Sequence, residues 1–223
     1  GCTLRYELVV KDQTRASTFK PLVLARIFPG GAQSQATAER YFQEKVLPLV
    51  AAMQKRPELE PFTNPAALLN DLPMVLHIFP LDGELPTLVQ TTDPAYMLDL
   101  LRSALPAARD HHLILDSCQV DLGHYGRQHR CVLRYTIDGH SATTQEQSRQ
   151  QIYGKVAADG RGELVDQALT LLRQRLRLFH NGASFRIPNT LGYYPELNLI
   201  LLDAVPGQTH LSALLKGRAV AGA

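Results

Sequence analysis

The chain has 223 residues, of which 45% are hydrophobic and 20% charged, so it can bury a sizeable core and has the composition of an ordinary globular protein. Its formal net charge is +2 and no long block of one sign appears, which argues against a nucleic-acid groove with its concentrated basic stripe and interleaved aromatics. No apolar run approaches the roughly 20 residues that span a bilayer, and the first residues lack the basic start and apolar stretch of a signal peptide.

In chain order, residues 3–10 read as a strand rich in β-branched and aromatic residues, and residues 11–20 as a polar turn. Residues 21–28 are a second strand, closed by the turn signal Pro29-Gly30-Gly31. A helix is expected from about Gln35 to Lys55, because Tyr41, Phe42, Val46, Leu49 and Val50 recur at three- and four-residue spacing. Pro48 should bend it, since proline removes an amide donor and crowds the preceding turn. Residues 72–80 are an apolar run suited to a strand buried on both faces. Asp93-Pro94 opens the next helix, with Asp as the cap and Pro at a position that needs no donor, and Pro106 ends it.

Beyond a junction at 107–112, strands are expected at Leu113–Tyr125 and His129–Ile137 around a turn at Gly126-Arg127. Gly139–Arg149 reads as a polar connection and Gln150–Ala158 as a third strand. Asp159-Gly160-Arg161-Gly162 turns into a helix from Glu163 to His180, stopped at Asn181-Gly182. Ser184–Tyr194 is strand-like but broken by Pro188, Leu197–Ala204 is an apolar strand, and a short helix begins at Leu211. Arg173, Arg175 and Arg177 alternate with leucines on the long helix, as on a solvated helix face.

Two stretches repeat. Cys2-Thr3-Leu4-Arg5-Tyr6 is echoed by Cys131-Val132-Leu133-Arg134-Tyr135, and Leu24-Ala25-Arg26-Ile27 by Tyr153-Gly154-Lys155-Val156, each 129 residues on. A fixed offset held by two separated strands suggests a duplicated supersecondary unit. The expected fold class is α+β, with units at 1–110 and 111–223, each a mostly antiparallel sheet with a packed helix. The first copy would lack its initial strand, which would lie upstream of Gly1. Both ends of the chain read as cuts within a longer protein.

Lys155 stands mid-strand between Ile152 and Val156, where its stem can pack on the sheet and its ammonium reach water or a cleft. Gly123-His124-Tyr125-Gly126-Arg127 reads, on its residues alone, as an ordinary hairpin turn. The three cysteines, Cys2, Cys118 and Cys131, lie in strand-like sequence without metal-ligand spacing, so free thiols and a cytoplasmic location are expected. His77 has no second ligand at metal-site spacing and reads as a hydrogen-bonded strand histidine, His111-His112 as exposed, and Tyr193-Tyr194 as packing.

The order strand, strand, strand, helix, strand, strand, with Lys155 on the third strand and Pro206-Gly207 after the fifth, resembles the N-lobe of the protein-kinase-like fold. The closer likeness is to the aminoglycoside-phosphotransferase-like family of small-molecule kinases. It rests on HRCVLRYTI (129–137), QIYGKV (151–156), FRIPNTLGYYPELN (185–198) and LILLDAVPG (199–207), and covers about 113–216. The resemblance implies two tandem N-lobe-like units and an ATP site in the second, with magnesium in the complete parent. Lys155 would meet the phosphates, Gly126 and Arg127 would cover them, and Glu163 or Asp166 would orient Lys155. Asp203, Ala204 and Val205 would form the hinge that reads the purine edge, with Ile200 and Leu202 nearby. The partners implied are a nucleotide and, in the parent, a small-molecule alcohol acceptor, with no nucleic acid or membrane. The likeness departs from the family where the chemistry is done: no His-Gly-Asp type catalytic loop follows Gly207, so the chain alone is expected not to transfer phosphate. The first copy has Arg26 in place of the lysine, with Glu44 a candidate partner, and reads as a scaffold or cap. The alternative is a non-catalytic interaction or regulatory module, with self-association through an open sheet edge.

Overall fold

Two antiparallel sheets, one from each half of the chain, form an α+β fold. The computed structural model describes residues 2–12, 17–53, 56, 59, 61–69, 71–126, 130–178 and 187–205. The first half starts with β1 (Cys2–Glu7), a small hairpin of β2 (Val10–Asp12) and β3 (Ser17–Phe19), and β4 (Leu22–Ile27). Gly30 and Gly31 then turn the chain at φ of 136° and 66°, a region closed to most side chains. The expected helix follows as α1 (Ser34–Tyr41), a π-helical turn (Phe42–Val46) and α2 (Leu47–Ala52). The wide turn falls just before Pro48, where the missing amide and the ring crowd ordinary helical bonding. Strands β5 (Ala66–Leu69) and β6 (Met74–Ile78) complete a sheet of order β1-β4-β6-β5.

Short helices come next: α3 (Leu88–Thr91), α4 (Pro94–Ala104) and α5 (Pro106–Arg109). The Asp93 side chain caps α4 by accepting from the Ala95 and Tyr96 amides at 2.9 and 3.3 Å. Leu105 is extended (φ −81°, ψ 120°), so Pro106 ends α4 and at once opens α5.

The second half contains β7 (Leu113–Gly126), β8 (Arg130–Ser141), β9 (Gln147–Ala157), α6 (Gly162–Leu178), β10 (Thr190–Tyr194) and β11 (Leu199–Asp203). Its sheet has the order β10-β11-β9-β8-β7. Two expectations are corrected here. The supposed polar connection at 139–149 is mostly strand: β8 runs to Ser141 and β9 begins at Gln147, joined by a turn in which the Ser141 hydroxyl accepts from the Thr143 and Thr144 amides. Gly123–Gly126 is not a turn but the end of β7, with Gly126 paired to Arg130. The segment expected to form a helix from Leu211 lies outside the described residues.

The duplication is visible in the pairing register. Thr3 pairs with Arg26 as Val132 pairs with Lys155; Cys2 pairs with Ile27 as Cys131 with Val156; Tyr6 pairs with Val23 as Tyr135 with Ile152. Strand order repeats too, since β1-β4-β6-β5 corresponds to β8-β9-β11-β10. The second sheet has one strand more, β7, on the edge that β1 leaves open in the first.

The copies differ in what covers them. In the second, Leu133, Tyr135, Ile137, Ile152, Val156, Leu199 and Leu201 form one buried face. Its cover comes from earlier in the chain: Leu85, Leu88, Met97, Leu101 and Leu105 belong to the same core. Tyr135 donates its hydroxyl to the Thr91 carbonyl at 2.9 Å, and Arg102 reaches the Leu115 carbonyl at 3.3 Å. The packing therefore passes to the second sheet at about Leu85, ahead of residue 110. Tyr6, the counterpart of Tyr135, is 48% exposed. On α6 the polarity is inverted, with Leu164, Leu171 and Leu172 more than half exposed.

Among the described residues no helix is long and apolar enough to cross a membrane. All three cysteines are free, Cys2 exposed and the others buried. Burial pushes the Cys118 thiol up to about 11 and the Cys131 thiol up to about 12, with the Asp82 carboxylate adding to the second, so both behave as small hydrophobes.

Candidate functional site

Lys155 lies in β9 between Val132 of β8 and Ile200 of β11. Partners across a sheet share a face, so one row runs His124, Val132, Lys155, Ile200, Tyr193, and the next runs Gly126, Arg130, Ala157. These rows face away from the buried core. With the start of α6 all of these residues except Tyr193 line a cleft of ≈ 580 Å³, within the range of small-molecule sites.

Local sequence explains this placement. Strand β7 has a bulge at Gly123, since Leu122 pairs with Leu133 but His124 pairs with Val132. Without that extra residue His124 would share a face with Leu122. A Cβ on Gly123 would sit 3.2 Å from the Val132 carbonyl oxygen, tighter than almost all such contacts. At the other end of the row, a Cβ on Gly162 would run into the Tyr193 ring, so glycine lets the first turn of α6 come down beside the sheet. The helix N-terminus, with its unsatisfied amides and positive dipole end, thus borders the cleft.

Among the described residues cations dominate the lining: Lys155, Arg130 and Arg161 against the single carboxylate Asp159. Arg130 and Arg161 reach Asp159 at 3.2 and 3.6 Å. Desolvation opposes ionisation of Asp159, but the Arg161 amide and the two guanidiniums more than offset it and hold the carboxyl below its usual value. Lys155 is exposed and forms no ion pair among the described residues.

The cleft brings together part of the expected set. Lys155 and Gly126 line it, whereas Arg127 lies outside the described residues. Glu163 is exposed and accepts from the Gln167 amide at 3.3 Å. Asp166, one turn on, turns inward, and its Oδ1 is buried without a hydrogen-bond partner among the described residues. Asp203, Ala204 and Val205 sit at the end of β11 and do not line the cleft. The Asp203 amide donates to the Asn189 carbonyl at 2.9 Å, and its carboxylate accepts from the Asn189 backbone and side-chain amides.

Comparison with family models, curated proteins and solved structures finds no match for this chain.

The counterpart position in the first copy is filled. Arg26 lies with its guanidinium 4.4 Å from the Tyr41 ring centroid and 5.3 Å from that of Phe28, and its Nη1 donates to Glu84 at 2.6 Å. Its partner is Glu84, not Glu44 as the sequence spacing suggests. The Tyr41 phenol is pushed up to about 12, first by burial and then by Asp82.

Sequence reading missed the surroundings of Asp82. This residue is only 3% exposed; its Oδ1 accepts from the Glu84 amide at 2.8 Å and its Oδ2 from the Tyr125 hydroxyl. Nearby His77 is also 3% exposed, and its Nδ1 has no hydrogen-bond partner among the described residues. Burial holds its imidazole below the ordinary range despite the opposing pull of Asp82. Asp82-Gly83 reads as a turn, and only its burial against a tyrosine 43 residues away marks it as more.

Proposed function

We propose that the Lys155 cleft binds the phosphates of a nucleotide, as the N-terminal part of a small-molecule phosphotransferase that uses an alcohol acceptor. The observation that carries this reading is the cleft itself: an exposed lysine, without an ion pair among the described residues, beside a helix N-terminus and two arginines, on the strand and in the element order that the kinase-like resemblance implies. Phosphoryl oxygens need cations and oriented amides, and this cleft supplies both. Neither acidic candidate lines the cleft; Asp166, whose buried Oδ1 has no hydrogen-bond partner among the described residues, is the one taken to orient Lys155, since Glu163 is exposed. Asp203, Ala204 and Val205 do not line the cleft, so no contact with the base is assigned to them. Among the described residues no three His, Cys, Asp or Glu side chains gather into a metal site, so magnesium would arrive with the triphosphate. The acceptor and the catalytic loop would belong to a further lobe. Free cysteines suit a reducing cytoplasm.

Lys155→Ala is expected to weaken binding of ATP about tenfold to a hundredfold, the equivalent of the ~1.5–3 kcal/mol carried by a hydrogen bond to a charged group. Calorimetric titration at low salt measures it. Equal affinity in wild type and variant would remove Lys155 from the site. The side chain is exposed, so the substitution should leave folding intact.

The outward apolar residues of α6 and the open β1 edge favour a second reading, a docking module that associates with itself. On that reading mass rises with concentration in light scattering, and Leu171→Glu with Leu172→Glu returns the chain to a monomer. A monomer at every concentration counts against it.

A further inference from the structure

Strand β7 is gripped from behind. Past the bulge at Gly123, His124 and Gly126 face the cleft, while Tyr125 between them points to the opposite side, in register with buried Cys131. There the first half of the chain holds it by three independent contacts. The Tyr125 hydroxyl donates to buried Asp82. Its ring meets Phe79 edge-on, with centroids 6.1 Å apart and planes at 82°. Its carbonyl accepts from Arg5 of β1 at 3.1 Å. Burial, reinforced by the Asp82 charge, holds the phenol far above its usual ionisation range, so it remains a donor at any working pH.

We propose that the first unit is a latch that fixes the end of β7, and with it the start of β8, beside the cleft, and that Asp82, Phe79 and Arg5, acting through Tyr125, set nucleotide affinity at Lys155 without touching the nucleotide. This rests on the nucleotide reading of the cleft. Paired strand ends held in one conformation let His124, Gly126 and Arg130 meet a ligand without first being ordered, and affinity lost to ordering is recovered when a wall is already in place. The duplication thereby has a use. The copy whose own cation position is filled by Tyr41 and Glu84 keeps the loop after β6, and that loop carries Asp82.

The test uses the whole chain with two substitutions that leave the cleft lining untouched, Tyr125→Phe and Arg5→Met. Hydrogen exchange of the segment 120–132 is followed without nucleotide, and ATP affinity is measured with Lys155→Ala as reference. Tyr125→Phe is expected to speed exchange in that segment several-fold and weaken ATP three- to tenfold, and Arg5→Met to do the same two- to threefold. Exchange elsewhere in the second sheet should not change, which a general loss of stability could not reproduce. If wild type binds ATP and both variants bind it equally well, the latch is overturned while the nucleotide reading stands. If wild type does not bind ATP, the nucleotide reading fails and the latch falls with it, whatever the exchange data show.

Discussion

A chain cut to residues 111–223 is expected not to fold, whereas one beginning at residue 81 is expected to retain a cooperative sheet. The sequence places a boundary at the junction 107–112, but the core of the second sheet is closed by residues that precede it. Leu85, Leu88, Met97 and Leu101 are each at most 1% exposed and Leu105 6%, in one cluster with Leu133, Tyr135, Leu199 and Leu201. Burying one such side chain contributes about 1.5–3 kcal/mol. Removing five at once costs about as much as the whole stability of an ordinary domain, roughly 5–15 kcal/mol. The cut also strips the Tyr135 hydroxyl of its Thr91 carbonyl and leaves a buried-type donor facing water or apolar neighbours. Urea titration followed by circular dichroism decides the matter. A sharp cooperative transition in the 111–223 fragment would show that the second sheet does not need α3 and α4.

The elements themselves were largely legible. Alternation and apolar runs located β4, β6, β7, β8 and β11, three- and four-residue spacing located α1, α2 and α4, and Asp93-Pro94 marked a cap that the structure reproduces. The 129-residue offset suggested a duplicated unit, and the same offset reappears in the pairing register. Failures occurred where local signals have two physical meanings. A glycine within a strand pattern marks either a turn or a bulge, and Gly123 is a bulge. The segment from Gly139 to Arg149 lacks apolar alternation because the start of β9 is largely exposed and has no core face to encode. The apolar side of α4 announces burial but not which sheet it covers, since periodicity carries no address. In the cleft, Lys155 could be singled out by residue type and strand position. Arg130 and Arg161 could not, because only folding brings a strand end and a helix start to the same wall. Asp82 was invisible for the same reason.

Gly154 is expected to be among the least tolerant positions in the chain, although its counterpart 129 residues earlier is Ala25. A Cβ on Gly154 would lie 2.7 Å from Cε2 of Tyr135 and 2.8 Å from Cδ1 of Leu199. Both of those residues are fully buried, so neither can retreat without disturbing close packing. Gly154→Ala should therefore cost about 1–3 kcal/mol by overpacking, and Gly154→Val more. In the first copy the tyrosine at the matching position, Tyr6, is nearly half exposed, so its ring does not press on the strand and Ala25 fits at 1% exposure. Ala25→Gly should cost only about 1 kcal/mol, the usual penalty for glycine in an ordered strand together with one lost methyl. The same exchange in opposite directions at two equivalent positions thus destabilises in both, with the larger loss at 154. Thermal denaturation of the two variants makes the comparison. The cause is separable, because Tyr135→Leu removes the obstructing ring. The loss from Gly154→Ala should shrink by about 1 kcal/mol or more in that background, as coupling between touching residues requires. A loss that is unchanged by Tyr135→Leu would mean that the glycine is needed for its backbone, not for the ring that lies over it.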